Sequence, residues 1–380
     1  MKQITDDTIN HFVDSHYDEA LALLTTLCGI PAPSNHEEQR AEFCKQWLVD
    51  IGAQGVYIDP ALNAIFPMGC ENDGPVVVIM AHTDTVFPDL EPLPLEVRDG
   101  KIFCPGVSDD TANVVVLLML VKFVLQNSLK FPFGIVFAAN SGEEGLGNLK
   151  GSRQIVNDFG SRMRECISLD GTYTHISNKG VGSMRYRVEV KTEGGHSYGN
   201  FGNRNAIHYL AQMITDLYTM KVPEEDGSRT TYNVGGISGG TSVNTIAQQA
   251  EMLYEYRSDS LASLEKMKQF FDSVVAHYKT MGINVGVEVI GSRPCSGDID
   301  LVRQKALDDR FYAVAAEVLE KKPEASSGST DCNIPWSLGI PGIVFGCCKG
   351  EGAHTREEYM EIDSLKTGMT LAIKFLLSYL

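Results

Sequence analysis

The chain has 380 residues, 43% of them hydrophobic and 21% charged, an ordinary balance for a packed globular protein and a length that suggests two domains. With 32 basic and 49 acidic residues the net charge is −17, which argues against nucleic acid or an anionic membrane as the main partner. The N-terminus MKQITDDTINHFVDSHYDEA has no secretory h-region, the longest apolar run (Val114 to Val121) falls well short of the ~20 residues that span a bilayer, and nine cysteines without a C-x-x-C pair read as reduced thiols of a cytoplasmic protein.

Residues Asp14 to Asp50 are expected to be helical, with Leu23, Leu24, Leu27, Phe43, Trp47 and Leu48 at core spacing and a break at Pro31-Ala32-Pro33. Short apolar runs and helical stretches then alternate. Val76–Met80, Gly134–Ala139, Cys166–Leu169 and Ile343–Phe345 read as buried strands. Ala112–Gln126, Ala306–Glu320 and Ser364–Leu380 read as the helices between or after them. Continuous apolar strands alternating with helices imply an α/β layer with a mainly parallel sheet.

The middle of the chain has another rhythm. Met184–Lys191, Met252–Tyr256 and Val285–Val289 alternate polar and apolar, as strands with one wet face do, and helices are expected at Asn205–Tyr218 and Leu261–Thr280. A smaller β-α-β-β-α-β insert over 182–293 would then interrupt a discontinuous domain made of 1–181 and 294–380.

Acidic residues and histidines recur at the ends of the expected strands. The first strand runs into His82-Thr83-Asp84, where i and i+2 point to one side, so an imidazole on a metal can have a carboxylate beside it to fix its orientation. Asp109-Asp110 directly precedes a helix; one carboxylate would serve as a cap, but a pair is more than a cap needs. Glu143-Glu144 follows the next strand. Neighbouring side chains of non-helical backbone point in roughly opposite directions, so one Glu can bind metal while the other faces substrate. Asp170-Gly171 closes a further strand, and His354 follows the last one. Ligands of open α/β sheets gather beyond the carboxyl ends of the strands, and two histidines with several carboxylates there suit borderline divalent metals such as zinc.

The order of these motifs resembles the M20 metallopeptidase family over nearly the whole chain, from the N-terminal helices to His354-Thr355-Arg356-Glu357-Glu358-Tyr359. The resemblance implies a zinc-exopeptidase-like catalytic domain interrupted by a smaller α+β lid that also dimerises. Carried over residue by residue, it makes His82 and Asp170 ligands of one ion, Glu144 and His354 ligands of the other, and Asp109 the bridge, with a cis peptide before Asp110. Asp84 matches the acid behind the His82 ligand, and Glu143 the general base. His196 matches a histidine that reaches the partner subunit's active site, and Asn244 and Arg257 match substrate-binding residues of the lid. The implied cofactors are two divalent ions, zinc first, with cobalt or manganese as substitutes. Gly328-Ser329-Thr330-Asp331 resembles a pocket segment. Four positions depart from the family pattern: Thr111 stands where Lys is frequent, Asn113 where a small residue is, Asn200 lies near a usual Pro, and Ala247 takes the place of another.

Two other chemistries compete. Gly236-Ile237-Ser238-Gly239-Gly240 matches G-x-S-x-G, but a nucleophile elbow needs a buried strand before it and a helix directly after it, and TSVNTI follows instead. Gly145-Leu146-Gly147 with Gly151 has the wrong spacing for a dinucleotide loop. A silent metal- or peptide-binding relative would have lost Glu143 or a ligand, and neither is lost. Asp rather than Glu at 170 resembles the amino- and dipeptidase members, so the expected substrate is a small peptide with a free amine, as for peptidase T. N-acyl amino acid deacylase or carboxypeptidase activity is the alternative.

Overall fold

The computed structural model describes residues 4–225 and 227–380. It divides into two compact units, 1–180 with 298–380 and 181–297. The first is built on an eight-stranded mixed sheet. Its four central strands, in spatial order Gly134–Asn140, Val76–His82, Met163–Leu169 and Gly342–Phe345, are mutually parallel. Antiparallel neighbours flank them: Ala64–Met68 on one side and His175–Gly180 on the other. The α/β reading with a mainly parallel centre therefore holds.

These strands form because both of their faces are buried. Along Val76–His82 every residue is buried; Val77, Ile79 and Ala81 enter one apolar cluster, and Val76, Val78 and Met80 the other. Helix Ala112–Gln126 is apolar almost all round because the sheet covers one side and helices Asp6–Cys28 and Ser364–Leu377 the other. The N-terminal helical stretch is broken as expected at 29–37, between Asp6–Cys28 and Glu38–Asp50.

One helix begins earlier than its pattern suggested, at Leu301 rather than Ala306. Asp300 caps it by accepting the N–H groups of Val302 and Arg303 at 2.9 and 3.2 Å. Leu301 and Val302 are 79% and 80% exposed, so the first turn carries no core periodicity to read.

In the second unit four antiparallel strands lie in the order Thr230–Gly239, Gln249–Ser258, Gly182–Lys191, Asn284–Arg293. Helices Ala206–Leu217 and Leu261–Thr280 cover one face, where Tyr186, Val188, Met252 and Tyr254 meet Leu210 and Phe271. Thr230–Gly239 is an edge strand hidden in the sequence by its glycines. Among the described residues no helix is long and apolar enough to cross a membrane.

Candidate metal centre

The carboxyl ends of the central strands come out at one edge, and the expected ligand residues follow them. His82 is the last residue of its strand and pairs in register with Asn140 of the next. Asp170 directly follows Leu169, its N–H donating to the Phe345 carbonyl at 3.1 Å. Donor atoms of His82, Asp109, Asp110 and Asp170 lie within 4.8 Å of one another, as do those of Asp109, Glu144 and His354. Asp109 belongs to both groups. Its Oδ1 is 3.1 Å from His82 Nε2, and its Oδ2 is 3.2 Å from His354 Nε2, which also lies 3.1 Å from Glu144 Oε1.

Neither carboxylate of the Asp109-Asp110 pair caps the helix that follows. The peptide between them is cis. Asp110 turns back and accepts the His82 N–H at 3.0 Å.

Asp84 organises the other side. Its carboxylate accepts the backbone N–H groups of Glu143 and Glu144 at 3.0 and 2.9 Å and the Ser34 hydroxyl at 2.7 Å. It also stands beside His82 Nδ1, 3.5 Å from Oδ1, although that ring nitrogen is nearer the Asp84 carbonyl oxygen, at 3.1 Å. The chain curls around Asp84 between Gly142 and Gly145, both at positive φ. Glu143 and Glu144 therefore do not splay as extended neighbours would. A carboxylate oxygen of each lies within 4.8 Å of a His82 ring nitrogen and of the other.

Such a cluster is electrostatically incomplete. Five carboxylates face two imidazoles. Burial, reinforced by Asp109 and Glu143, pushes Glu144 up to about 7. Burial and the Asp109 charge raise Asp170 well above the carboxylate range, and burial raises Asp110 likewise. Hydrogen bonds to Asp109 and Glu144 lift His354 to about 10. Burial works against charge on both His82 and Asp109. Asp110, Asp109 and Asp84 nevertheless raise His82, and the two histidines hold Asp109 low. A buried excess of negative charge on oxygen and imidazole donors is what divalent cations neutralise, so the residues fit divalent metal.

The model of the peptidase family M20/M25/M40 matches residues 78–378. The chain belongs to this family. A probable carboxypeptidase of Paracoccidioides brasiliensis is 25% identical over 258 residues, covering 60% of this chain and 58% of the relative, so the chain spans less than two thirds of that protein. A succinyl-diaminopimelate desuccinylase of Bordetella parapertussis is 24% identical over 310 residues, covering 77% of this chain and 79% of the relative. A tripeptidase of Staphylococcus aureus has the same fold, with TM-score 0.76 at 21% identity over 96% of this chain and 98% of that one.

Where the chain departs from the M20 pattern, the replacements are in use. Thr111 Oγ1 accepts from buried Arg40, whose Nη1 also donates to the Thr83 carbonyl between His82 and Asp84, at 3.2 and 2.9 Å. Asn200 closes the loop around His196, accepting the His196 N–H and donating its own N–H to the His196 carbonyl, both at 2.9 Å. The Ala247 carbonyl accepts from Ala206 N–H at 2.9 Å and from the Thr192 hydroxyl at 3.0 Å.

Sequence reasoning missed several groups around the centre. Glu358, fully buried, gathers the N–H groups of Gly106, Ser108 and Asp109 at 2.6, 2.8 and 2.9 Å and the Ser108 hydroxyl at 2.8 Å, tying the His354 loop to the Asp109 loop. Asn140 was missed; its Nδ2 donates at 2.6 Å to Asp331 of the expected pocket segment, where burial and the nearby Glu143 charge push the carboxyl up to about 7. Ser34 lies in the proline-rich break and gave no sign. Glu358 had one, its place four residues after His354, but nothing local distinguished it from Glu357.

In the 181–297 unit, His196 and Asn244 are neighbours. His196 pairs with Thr245, and Ser197 N–H donates to the Asn244 carbonyl at 2.9 Å. His196 Nδ1 accepts the N–H groups of Tyr198 and Gly199 at 3.3 and 3.2 Å, which leaves the proton on Nε2 and makes the ring an outward donor. Arg257 is not an open fork. It grips Glu255 through Nε and Nη2, each at 3.1 Å. Ser238 lies on the edge strand, its hydroxyl donating to Glu251 at 3.3 Å, with no helix following to make a nucleophile elbow.

Proposed function

We propose that this chain is a two-metal aminopeptidase acting on small peptides, tripeptides first, in the cytoplasm. The observation that carries the reading is Asp109, whose two oxygens face His82 and His354 at 3.1 and 3.2 Å. His82 and Asp170 would hold one ion, Glu144 and His354 the other, with Asp109 bridging. Zinc suits the mixed imidazole and carboxylate donors, and cobalt or manganese would substitute. Bound there, two ions supply Lewis acidity and lower the pKa of a water. Glu143 would take the proton from the attacking water and deliver it to the leaving amine. Asp84 holds the backbone of the base and the His82 ring in one frame, so the proton acceptor keeps its distance from the ligands.

The insert, 182–293, would act as the lid and as the pairing surface of a homodimer. Its His196 presents Nε2–H, the form that stabilises a developing oxyanion. Asn244 would hold the substrate backbone. Arg257 would exchange Glu255 for a substrate carboxylate, a bidentate trade of like for like.

Asp at 170 supports a free-amine peptide over an N-acyl substrate; the desuccinylase and carboxypeptidase relatives mark the second reading. A tripeptide and its N-acetylated counterpart, compared by kcat/KM with enzyme carrying measured metal, separate the two. Preference for the free amine is expected, and preference for the acetylated form moves the enzyme to the deacylases.

A further inference from the structure

Asn113 lies in the first turn of helix Ala112–Gln126, fully buried. Its Nδ2 donates to Asp110 Oδ1 at 2.5 Å and to the Gly171 carbonyl at 3.0 Å. Its Oδ1 accepts the Cys347 N–H at 2.6 Å. Only an amide meets this set, because one edge faces a carboxylate and a carbonyl while the other faces a peptide donor.

Each contact falls on a different loop of the metal edge. Asp110 adjoins Asp109 and holds the His82 N–H with its other oxygen at 3.0 Å. Gly171 adjoins Asp170. Cys347 lies just beyond the strand Gly342–Phe345, on the way to His354. The last two loops already touch, since a Cβ added to Gly346 would fall 2.0 Å from the Gly171 carbonyl oxygen. Asn113 thus closes the Asp109 loop onto this pair, beside the weaker Cys348 thiol contacts to the Ser108 and Gly171 carbonyls at 3.9 and 3.6 Å.

We propose that Asn113 is a positioning residue that sets the distance between Asp109 and Asp170, and with it the affinity of the ion these two share with His82. The inference rests on reading His82, Asp109 and Asp170 as ligands. Ligand spacing matters at the level of tenths of an ångström; Glu358 grips the Asp109 loop from the His354 side, and Asn113 ties it to the Asp170 side.

The test is cobalt titration of the full-length chain, stripped of metal, followed by calorimetry and by the visible absorption of the bound ion. Wild type should take two equivalents. Asp170→Asn should weaken one of them and change its spectrum. Asn113→Ala should weaken that same equivalent about 10- to 100-fold, with the same spectral change, and leave the equivalent lost in Glu144→Gln untouched. Should Asn113→Ala fail to fold, the near-isosteric Asn113→Asp, which turns an acceptor toward Asp110, makes the same comparison. Tyr379→Phe, which removes a buried hydroxyl from Glu165, controls for lost stability and should leave both affinities alone. Two unchanged affinities in an Asn113 variant that melts lower than wild type would overturn the positioning role. A wild type that takes no second equivalent, or an Asp170→Asn with unaltered binding, would instead sink the ligand assignment.

Discussion

Asp84 touches the His82 ring on one side and the backbone of Glu143 and Glu144 on the other, so two adjacent glutamates share one anchor yet carry different proposed tasks. Glu144 lies 3.1 Å from His354, and burial holds its proton up to about pH 7 in the absence of a cation. Glu143→Ala should keep metal content near wild type while kcat falls by about 10²–10⁴, the range for loss of a general base. Glu144→Ala should lose metal. Reversed phenotypes would exchange the two roles, and metal analysis beside initial rates decides it.

Cysteine reactivity is a second property set residue by residue. Eight of the nine free thiols are buried, and Cys70 is half-buried with burial pushing its pKa up to about 11. A raised thiol pKa means little thiolate at pH 8 and more as pH approaches 11. A disulfide reagent added to native protein should therefore titrate Cys70 alone, slowly at pH 8 and faster with rising pH, while all nine react in denaturant. Several fast thiols at pH 8 would contradict this packing.

At the scale of elements, the parallel strands end on one line, and what lies beyond them is held by contacts between loops and helices. Helix Ser364–Leu377 shows how tight this is. It passes Cys347 at Gly368, where an added Cβ would sit 1.6 Å from the Cys347 carbonyl oxygen. Glycine inside a helix ordinarily costs ~0.5–1 kcal/mol relative to alanine, so Gly368→Ala would be expected to stabilise on helix propensity alone. The overlap with backbone reverses the sign, and the variant should lose ~1–3 kcal/mol, the usual cost of overpacking. Thermal or urea unfolding reads it. An unchanged or higher midpoint would mean that helix and loop separate easily and that the loop frame of the centre is soft.

For the molecule as a whole, complementation between variants tests whether His196 serves the partner's site, as the family resemblance implies. His196→Ala and Glu143→Ala should each be nearly inactive as homodimers. A purified heterodimer of the two holds one site with Glu143 and His196 both intact if the histidine acts across the dimer, and about half the wild-type activity should return, as a two-fold assembly with one sound site requires. No recovery restricts His196 to its own chain, and a fully active His196→Ala homodimer removes it from the reaction.

The sequence carried the parallel centre, the alternating strands of the insert and the gathering of His82, Asp109, Glu144, Asp170 and His354 beyond the strands, because strand apolarity and the punctuation after each strand are local properties. It did not carry the directions of side chains once the backbone curls. Glu143 and Glu144 were expected to diverge, and Asp84 turns them together through backbone contacts that no local pattern encodes. Asn113 read as a departure and Glu358 as one acid in a charged run; both acquire partners only when loops far apart in sequence meet, across separations of 234 and about 250 residues. The glycines of Thr230–Gly239 hid a strand whose pairing partner lies beyond a turn. Sequence determined which chemistry is available at the sheet edge, since residue type and local period fix that. Tertiary structure alone decided how the donors face one another, because buried hydrogen bonds between distant loops set those angles.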